Sequence, residues 1–313
     1  FWTMSYTPGL EITKSTLVRK IRELPLLGKS HVKPGDKVSA ETNVLSAELP
    51  GDLQIIRLAD RMMMEVQDVL PGIKIVEGAR VSKGELLCEV KTFFGLFTSS
   101  LESPTDAEVE FITNANAHIG LRKESTPLEV NAYIDGKVVE VEDKKSVTIE
   151  TNAALIQGIF GVGGERRGTI HPLDIAADKI VDASDLKEDL KDKIIFGGAQ
   201  FTVDALNKAA ELGAKAVVTG SIDAKTLAAF VGYEIGVSIT GDEEVPLTLI
   251  ITEGFGELPI SDRVLKLAKE FSGKKASVNG ATQVRAGAMR PEIIIPHDEK
   301  AKSSKEKKNI LEI

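Results

Sequence analysis

Thr219-Gly220-Ser221 and Thr252-Glu253-Gly254, followed by Thr282 and Arg285, are the residues of this chain best suited to holding a small anion or carboxylate. Hydroxyls donate, glycine lets a ligand approach backbone N–H groups, and arginine makes paired hydrogen bonds to a carboxylate or phosphate. The ligand site expected on that reading is Thr219, Gly220, Ser221, Thr252, Gly254, Thr282 and Arg285. A plainer reading stands beside it. Glycine with Ser or Thr at strand ends is ordinary turn chemistry, and Arg285 has Glu253 or Glu292 as an internal partner.

Catalytic chemistry has less to work with. There is neither a G-x-S-x-G elbow nor an H-E-x-x-H helix. His31, His118, His171 and His297 are isolated in the sequence, and Cys88 sits in the apolar run Leu-Leu-Cys-Glu-Val, where a thiol acts as a small hydrophobe. Four histidines and one cysteine build no Cys-rich metal site and no internal disulfide. No catalytic residue, cofactor or metal is expected, and the balance leans against an enzyme.

Phe93, Phe94 and Phe97 are conspicuous in a chain with 5% aromatic residues. They either pack inward at the end of a β domain or form an exposed partner site. Gly158, Gly161, Gly163, Gly164 and Gly168, with Arg166 and Arg167, either cradle an anion or form an interdomain hinge. The order of the residues lacks a P-loop or dinucleotide fingerprint, which favours the hinge.

The elements that must position these residues differ along the chain. Thr13, Leu17, Ile21 and Leu24 have helical spacing before Pro25, so residues 1–27 read as a helical lead-in. From 28 to 157, short Val- and Ile-rich runs broken by Gly-Asp, Pro-Gly and Asp-Gly pairs read as compact β structure, with one short helix or an insertion at 60–70. From 171 to 296 strands alternate with helices. Lys193–Phe196, 216–218 and 247–251 are apolar strands; 203–212, the stretch from Ser221 or Asp223 to Phe230, and 261–271 are helices. That order implies a three-layer α/β domain with a mainly parallel sheet, ligands binding at its strand ends. Residues 276–295 read as a short terminal β hairpin, and 297–313 as a polar, lysine-rich tail.

The β region repeats a phrase. HVKPGDKVSAETNVLSAELPGDLQIIRL at 31–58 and IVEGARVSKGELLCEVKTFFGLFTSSLESPTDAEVEFI at 75–112 share a Val-x-x-Gly opening and a later Pro turn before an alternating strand; PLEVNAYIDGKVVEVEDKKSVTIE at 127–150 is a degenerate third copy. These segments resemble the biotinyl/lipoyl-like barrel-sandwich hybrid. Carrier versions present a lysine at a hairpin tip within Met-Lys-Met or Asp-Lys-Ala. Lys91, in EVKTFFGLFTSS, has neither flank, so the resemblance implies a docking module without biotin or lipoate. The segment KIIFGGAQFTVDALNKAAELGAKAVV is similar to swivelling β/β/α and protease-associated modules, and GATQVRAGAMRPEIIIP is similar to bacterial conserved proteins of unknown function.

The expected fold class is therefore α+β multidomain: an N-terminal all-β barrel-sandwich hybrid (28–157), a glycine-rich hinge (158–170) and the α/β domain (171–296). The net charge of −8 opposes nucleic-acid binding, and no apolar run reaches the roughly 18–20 residues of a membrane span. A single cysteine and no signal-peptide pattern at the first residues fit a cytoplasmic protein. The reading is a non-catalytic adaptor or scaffold with a protein partner or self-association. The alternative is a binder of small anions or an enzyme using the α/β crevice.

Overall fold

A computed structural model of the chain describes residues 10–92, 97–187, 189–232, 244–282, 289–297 and 311–312. It is a mixed α/β structure dominated by one large mixed sheet, and its packing forms two units. Unit 1 gathers Phe1–Leu24, Ser30–Leu45 and Val130–Ile313; unit 2 is Pro25–Lys29 with Ser46–Glu129. Among the described residues no helix is long and apolar enough to cross a membrane.

Unit 1 is built on β1 (Ile12–Glu23), β2 (Gly136–Glu142), β3 (Ser146–Gln157), β4 (Phe160–Val162), β5 (Glu165–Pro172) and β6 (Lys193–Phe196). There follow α1 (Val203–Glu211), β7 (Ala216–Ile222), α2 (Ala224–Val231), β8 (Thr248–Phe255), α3 (Asp262–Glu270), β9 (Lys275–Asn279) and β10 (Glu292–Pro296). The sheet runs β4-β8-β7-β6-β5-β9-β10-β3-β1, with β2 also on β3. Only the joints β8–β7, β7–β6 and β6–β5 in this path are parallel, so the sheet expected to be mainly parallel is mixed. Antiparallel strands extend the parallel block on both sides.

Strand alternation divides the core between the two faces. Ile194, Phe196, Val218 and Ile250 face Val264, Leu267 and Ala268 of α3. Ile195, Val217, Leu249 and Ile251 face Leu206 and Ala209 of α1 and Leu227 and Phe230 of α2. Each of these Val, Ile, Leu and Phe side chains contributes about 1.5–3 kcal/mol where it is fully buried. α1 and α2 begin at side-chain caps, whereas Ser261 before α3 makes no cap hydrogen bond. Thr202 accepts from the Ala205 N–H, and Asp223, rather than Ser221, accepts from the N–H groups of Lys225 and Thr226.

Three expectations are corrected. The stretch expected to be helical holds β1 over Ile12–Glu23, which pairs with β3 from Ile12↔Ile156 to Glu23↔Ser146. Thr16, Val18 and Ile21 are β-branched, and a long ladder to a distant strand outweighs the helical spacing of Thr13, Leu17, Ile21 and Leu24. The expected hinge at 158–170 is β4 and the first part of β5, inside the sheet. Its glycine serves close packing: a Cβ on Gly161 would stand 2.7 Å from the Gly280 carbonyl oxygen. The boundaries also move. The expected β domain ended at 157, whereas Val130 onward belongs to unit 1, because β3 is shared by β1, β2 and β10. Residues 298–310 of the expected tail lie outside the described residues; Leu311–Glu312 pair in parallel with Val18–Arg19.

Unit 2 holds a four-stranded antiparallel sheet in the order Leu53–Arg57, His118–Arg122, Ala107–Thr113, Arg80–Val81. A hairpin, Leu86–Thr92 with Phe97–Glu102, and short helices at Leu58–Met62 and Val66–Val69 complete it. Ile56, Leu58, Val69, Leu87, Val109 and Ile119 form its core.

Candidate functional site

The strand ends expected to bind a ligand are filled by the chain itself. The Thr219 hydroxyl donates to the Gly198 carbonyl at 3.0 Å, and the Thr252 hydroxyl donates to the Thr219 carbonyl at 3.2 Å. Ser221 donates to the Ala199 carbonyl at 2.9 Å and accepts from the Leu258 N–H at 2.9 Å. Gly220 lies directly beneath residues 258–260, where a Cβ would meet the Leu258 oxygen at 2.2 Å. Glycine approaches backbone here, but the backbone is the protein's own. Gly254 sits in β8 opposite Ser221. Gln200 closes the rim by donating to the Gly256 carbonyl.

Thr282 is not brought to this group. Its hydroxyl accepts from the Gly161 N–H at 2.9 Å and points its proton at the carbonyls of Gly161 and Gly280. Arg285 lies outside the described residues. The two carboxylates considered as its internal partners are engaged elsewhere: Glu253 accepts from the Ser261 N–H, and Glu292 pairs with Lys20. Arg166 and Arg167 also serve the fold. Arg166 donates to the Val245 carbonyl at 2.5 Å, and burial draws its pKa down. Arg167 bridges Glu41 and Asp135.

The most developed polar centre is one the sequence motifs did not single out. Lys20 and Glu292 form an ion pair at 2.5 Å, with 8% and 3% of their side chains exposed. The buried Tyr133 hydroxyl donates to the same Glu292 oxygen at 3.2 Å. Burial, then the charges of Glu292 and Glu165, push the phenol well above its ordinary range, so it stays a neutral donor. Lys20 and Arg22 place their cations 5.7 and 5.4 Å from the Tyr133 ring centroid. Arg22 in turn grips Glu165 with two hydrogen bonds, 2.6 and 2.8 Å, and donates to the Asn131 carbonyl. Tyr133 takes φ +69°, a strained backbone for a bulky residue, and Ser277 holds its carbonyl. The second oxygen of Glu292 is buried without a hydrogen-bond partner among the described residues. The centre joins β1, the turn before β2, β5, β9 and β10. A signal for it existed. In Thr-Leu-Val-Arg-Lys-Ile a strand period puts Lys20 on the buried face with Val18, which a helical reading hides.

In unit 2, Phe97 is 65% exposed, whereas Phe93 and Phe94 lie outside the described residues. Lys91 pairs across the hairpin with Thr98 and stands 4.0 Å from Glu89. A polar groove of about 900 Å3 is lined by residues that include Arg80, Asp106, Glu108, Glu110 and Arg122. One ion pair crosses it: Arg122 grips Glu110, whose carboxyl is held below its usual range chiefly by that hydrogen bond. Cys88 is buried, donates to the Val69 carbonyl, and has its thiol pKa raised by that burial. No protein-family model, curated protein or solved structure matches the chain.

Proposed function

We propose that the chain is a non-catalytic binding or assembly protein, an adaptor or scaffold within a larger cytoplasmic complex, with unit 2 carrying the contact surface. One observation carries the reading: unit 2 leaves large apolar side chains in water, with Ile55 53%, Val76 68% and Met63 93% exposed. Among the described residues unit 1 also exposes large apolar side chains, Phe255 the most at 55%, but unit 2 reaches higher exposures on less than half the length. Exposed apolar area is what an interaction surface offers. In unit 1, by contrast, the hydroxyls proposed for a ligand are spent on backbone carbonyls. The resemblance of the β region, whose second phrase at 75–112 lies in unit 2, to hybrid barrels that dock without a carrier lysine points the same way, with unit 1 as an α/β body.

The test is site-specific photo-crosslinking in cells, with the crosslinker at position 55 or 76 of unit 2 and, for comparison, at Lys208 on α1. The reading expects discrete protein adducts from unit 2 and none from Lys208. It fails if unit 2 gives no adduct while a nucleotide, phosphate or carboxylic acid stabilises the protein in a way that Thr219→Val or Ser221→Ala abolishes.

A further inference from the structure

Resting on that assembly reading, we propose that the strand Leu53–Arg57 pairs with the same strand of a second copy, antiparallel about a two-fold axis at Ile55. This strand forms an edge of the unit 2 sheet, with His118–Arg122 its sole neighbour among the described strands. Two hydrogen bonds fix which way its backbone faces: Lys123 N–H to the Asp52 carbonyl, 3.0 Å, and Leu58 N–H to the Ala117 carbonyl, 3.1 Å. Bonded pairs alternate along an antiparallel ladder, so Gln54 and Ile56 turn their backbone groups inward. Leu53, Ile55 and Arg57 therefore turn theirs to the open edge. The same three side chains are exposed.

Such edges are blunted by bulges, prolines, inward-pointing charges, edge charges or short length. This five-residue strand has no bulge, proline or inward charge, and its five registered pairs run without a shift; its one charge is Arg57, at its end. What it does have is a pattern complementary to itself. Antiparallel pairing about Ile55 lays Ile55 on Ile55, with reciprocal N–H···O=C bonds, and lays each Arg57 beside Leu53 of the other copy. The two Arg57 charges are then four residues apart along the ladder, about 13 Å, beyond the roughly 8–10 Å screening length. Parallel in-register pairing would stack Arg57 on Arg57 at about 5 Å, which is repulsive. A shallow hollow of about 290 Å3 among Ile55, Arg57, Asp60 and Arg61 lies where the second copy's Leu53 arrives.

Sedimentation velocity of the full chain over a wide concentration range tests this. A dimer is expected, and Ile55→Lys, which puts like charges on the axis, should weaken it at least about tenfold. Val76→Lys, on the same unit but off the edge, should leave it unchanged. Ile55→Cys should form an intermolecular disulfide under mild oxidation, since Cys88 is buried. Ile55 is exposed, so circular dichroism of each variant should match the parent. A parent that stays monomeric, or a dimer indifferent to Ile55→Lys, overturns the second-copy pairing. Either result leaves the assembly reading to the crosslinks, whose adducts would then come from a different protein.

Discussion

Lys20 and Glu292 meet at 2.5 Å between β1 and β10, and Tyr133 donates to the oxygen that Lys20 holds. Removing one charge leaves the other buried and unpaired. Such a loss costs about 3–5 kcal/mol, whereas replacing both partners by apolar residues of similar volume is often neutral. Glu292→Gln and Lys20→Met should each lower the urea midpoint strongly, and Lys20→Met with Glu292→Leu should recover most of the loss. A double variant no better than the singles would show that the pair does more than neutralise itself.

Gly220 allows residues 258–260 to cross the ends of β7 and β8. Gly220→Ala would drive a methyl group into the Leu258 oxygen, and overpacking of this kind costs about 1–3 kcal/mol. Lower thermal stability is expected, with faster hydrogen exchange confined to the amides around Leu258 and Ile260. Unchanged exchange there would mean that the segment does not rest on Gly220.

What the sequence made legible was local. Lys193–Phe196, the helix at Val203–Glu211 and the apolar run of β8 could be placed because the strands are continuous apolar runs and the helix carries its own periodicity and the Thr202 cap. The two-unit division was hidden because unit 1 is assembled from three separate stretches of chain. Val18 and Lys20 share a face only in a strand, and the partner that makes β1 a strand lies beyond residue 145. At the expected ligand residues the sequence hides a different thing, the internal partners: the 258–260 segment lies over Gly220, and the Gly198 and Ala199 carbonyls accept from Thr219 and Ser221.

The position of Gly158–Gly168 has a direct consequence for proteolysis. Arg166 and Arg167 lie in β5 and pair with Val278 and Ser277 of β9. A hinge would be cut there first; a central strand would not. Limited trypsin digestion should spare both arginines until the chain unfolds globally.

Asp223 caps α2 through the Thr226 hydroxyl and the N–H groups of Thr226 and Lys225. Those bonds, the hydroxyl first, hold its carboxyl below the ordinary aspartate range. A depressed folded-state pKa stabilises above the unfolded value, about 3.9, and the contribution fades as pH falls through the folded one. Asp223→Ala should therefore cost about 1 kcal/mol at neutral pH. The gap between variant and parent should shrink in urea titrations taken at progressively more acidic pH. A gap independent of pH would assign the loss to packing rather than to the charged cap.

Tyr133 provides the opposite sign. Its phenol is buried beside Glu292 and Glu165, so the folded protein resists its ionisation while the unfolded chain ionises near the usual value of about 10. Stability from the neutral phenol is whole below that value and is lost as pH rises above it, because only the unfolded state gives up the proton. Tyr133→Phe removes the donor to Glu292, and leaving that buried carboxylate oxygen with one fewer partner costs about 1–3 kcal/mol at neutral pH. At alkaline pH the variant has no phenol to ionise on unfolding, so its deficit should narrow. The phenolate absorbance of the parent should correspondingly include a step that comes only with unfolding and that Tyr133→Phe lacks. A parent and a Tyr133→Phe variant that differ by a phenol titrating in the folded protein would place Tyr133 in water and dissolve the centre built around it.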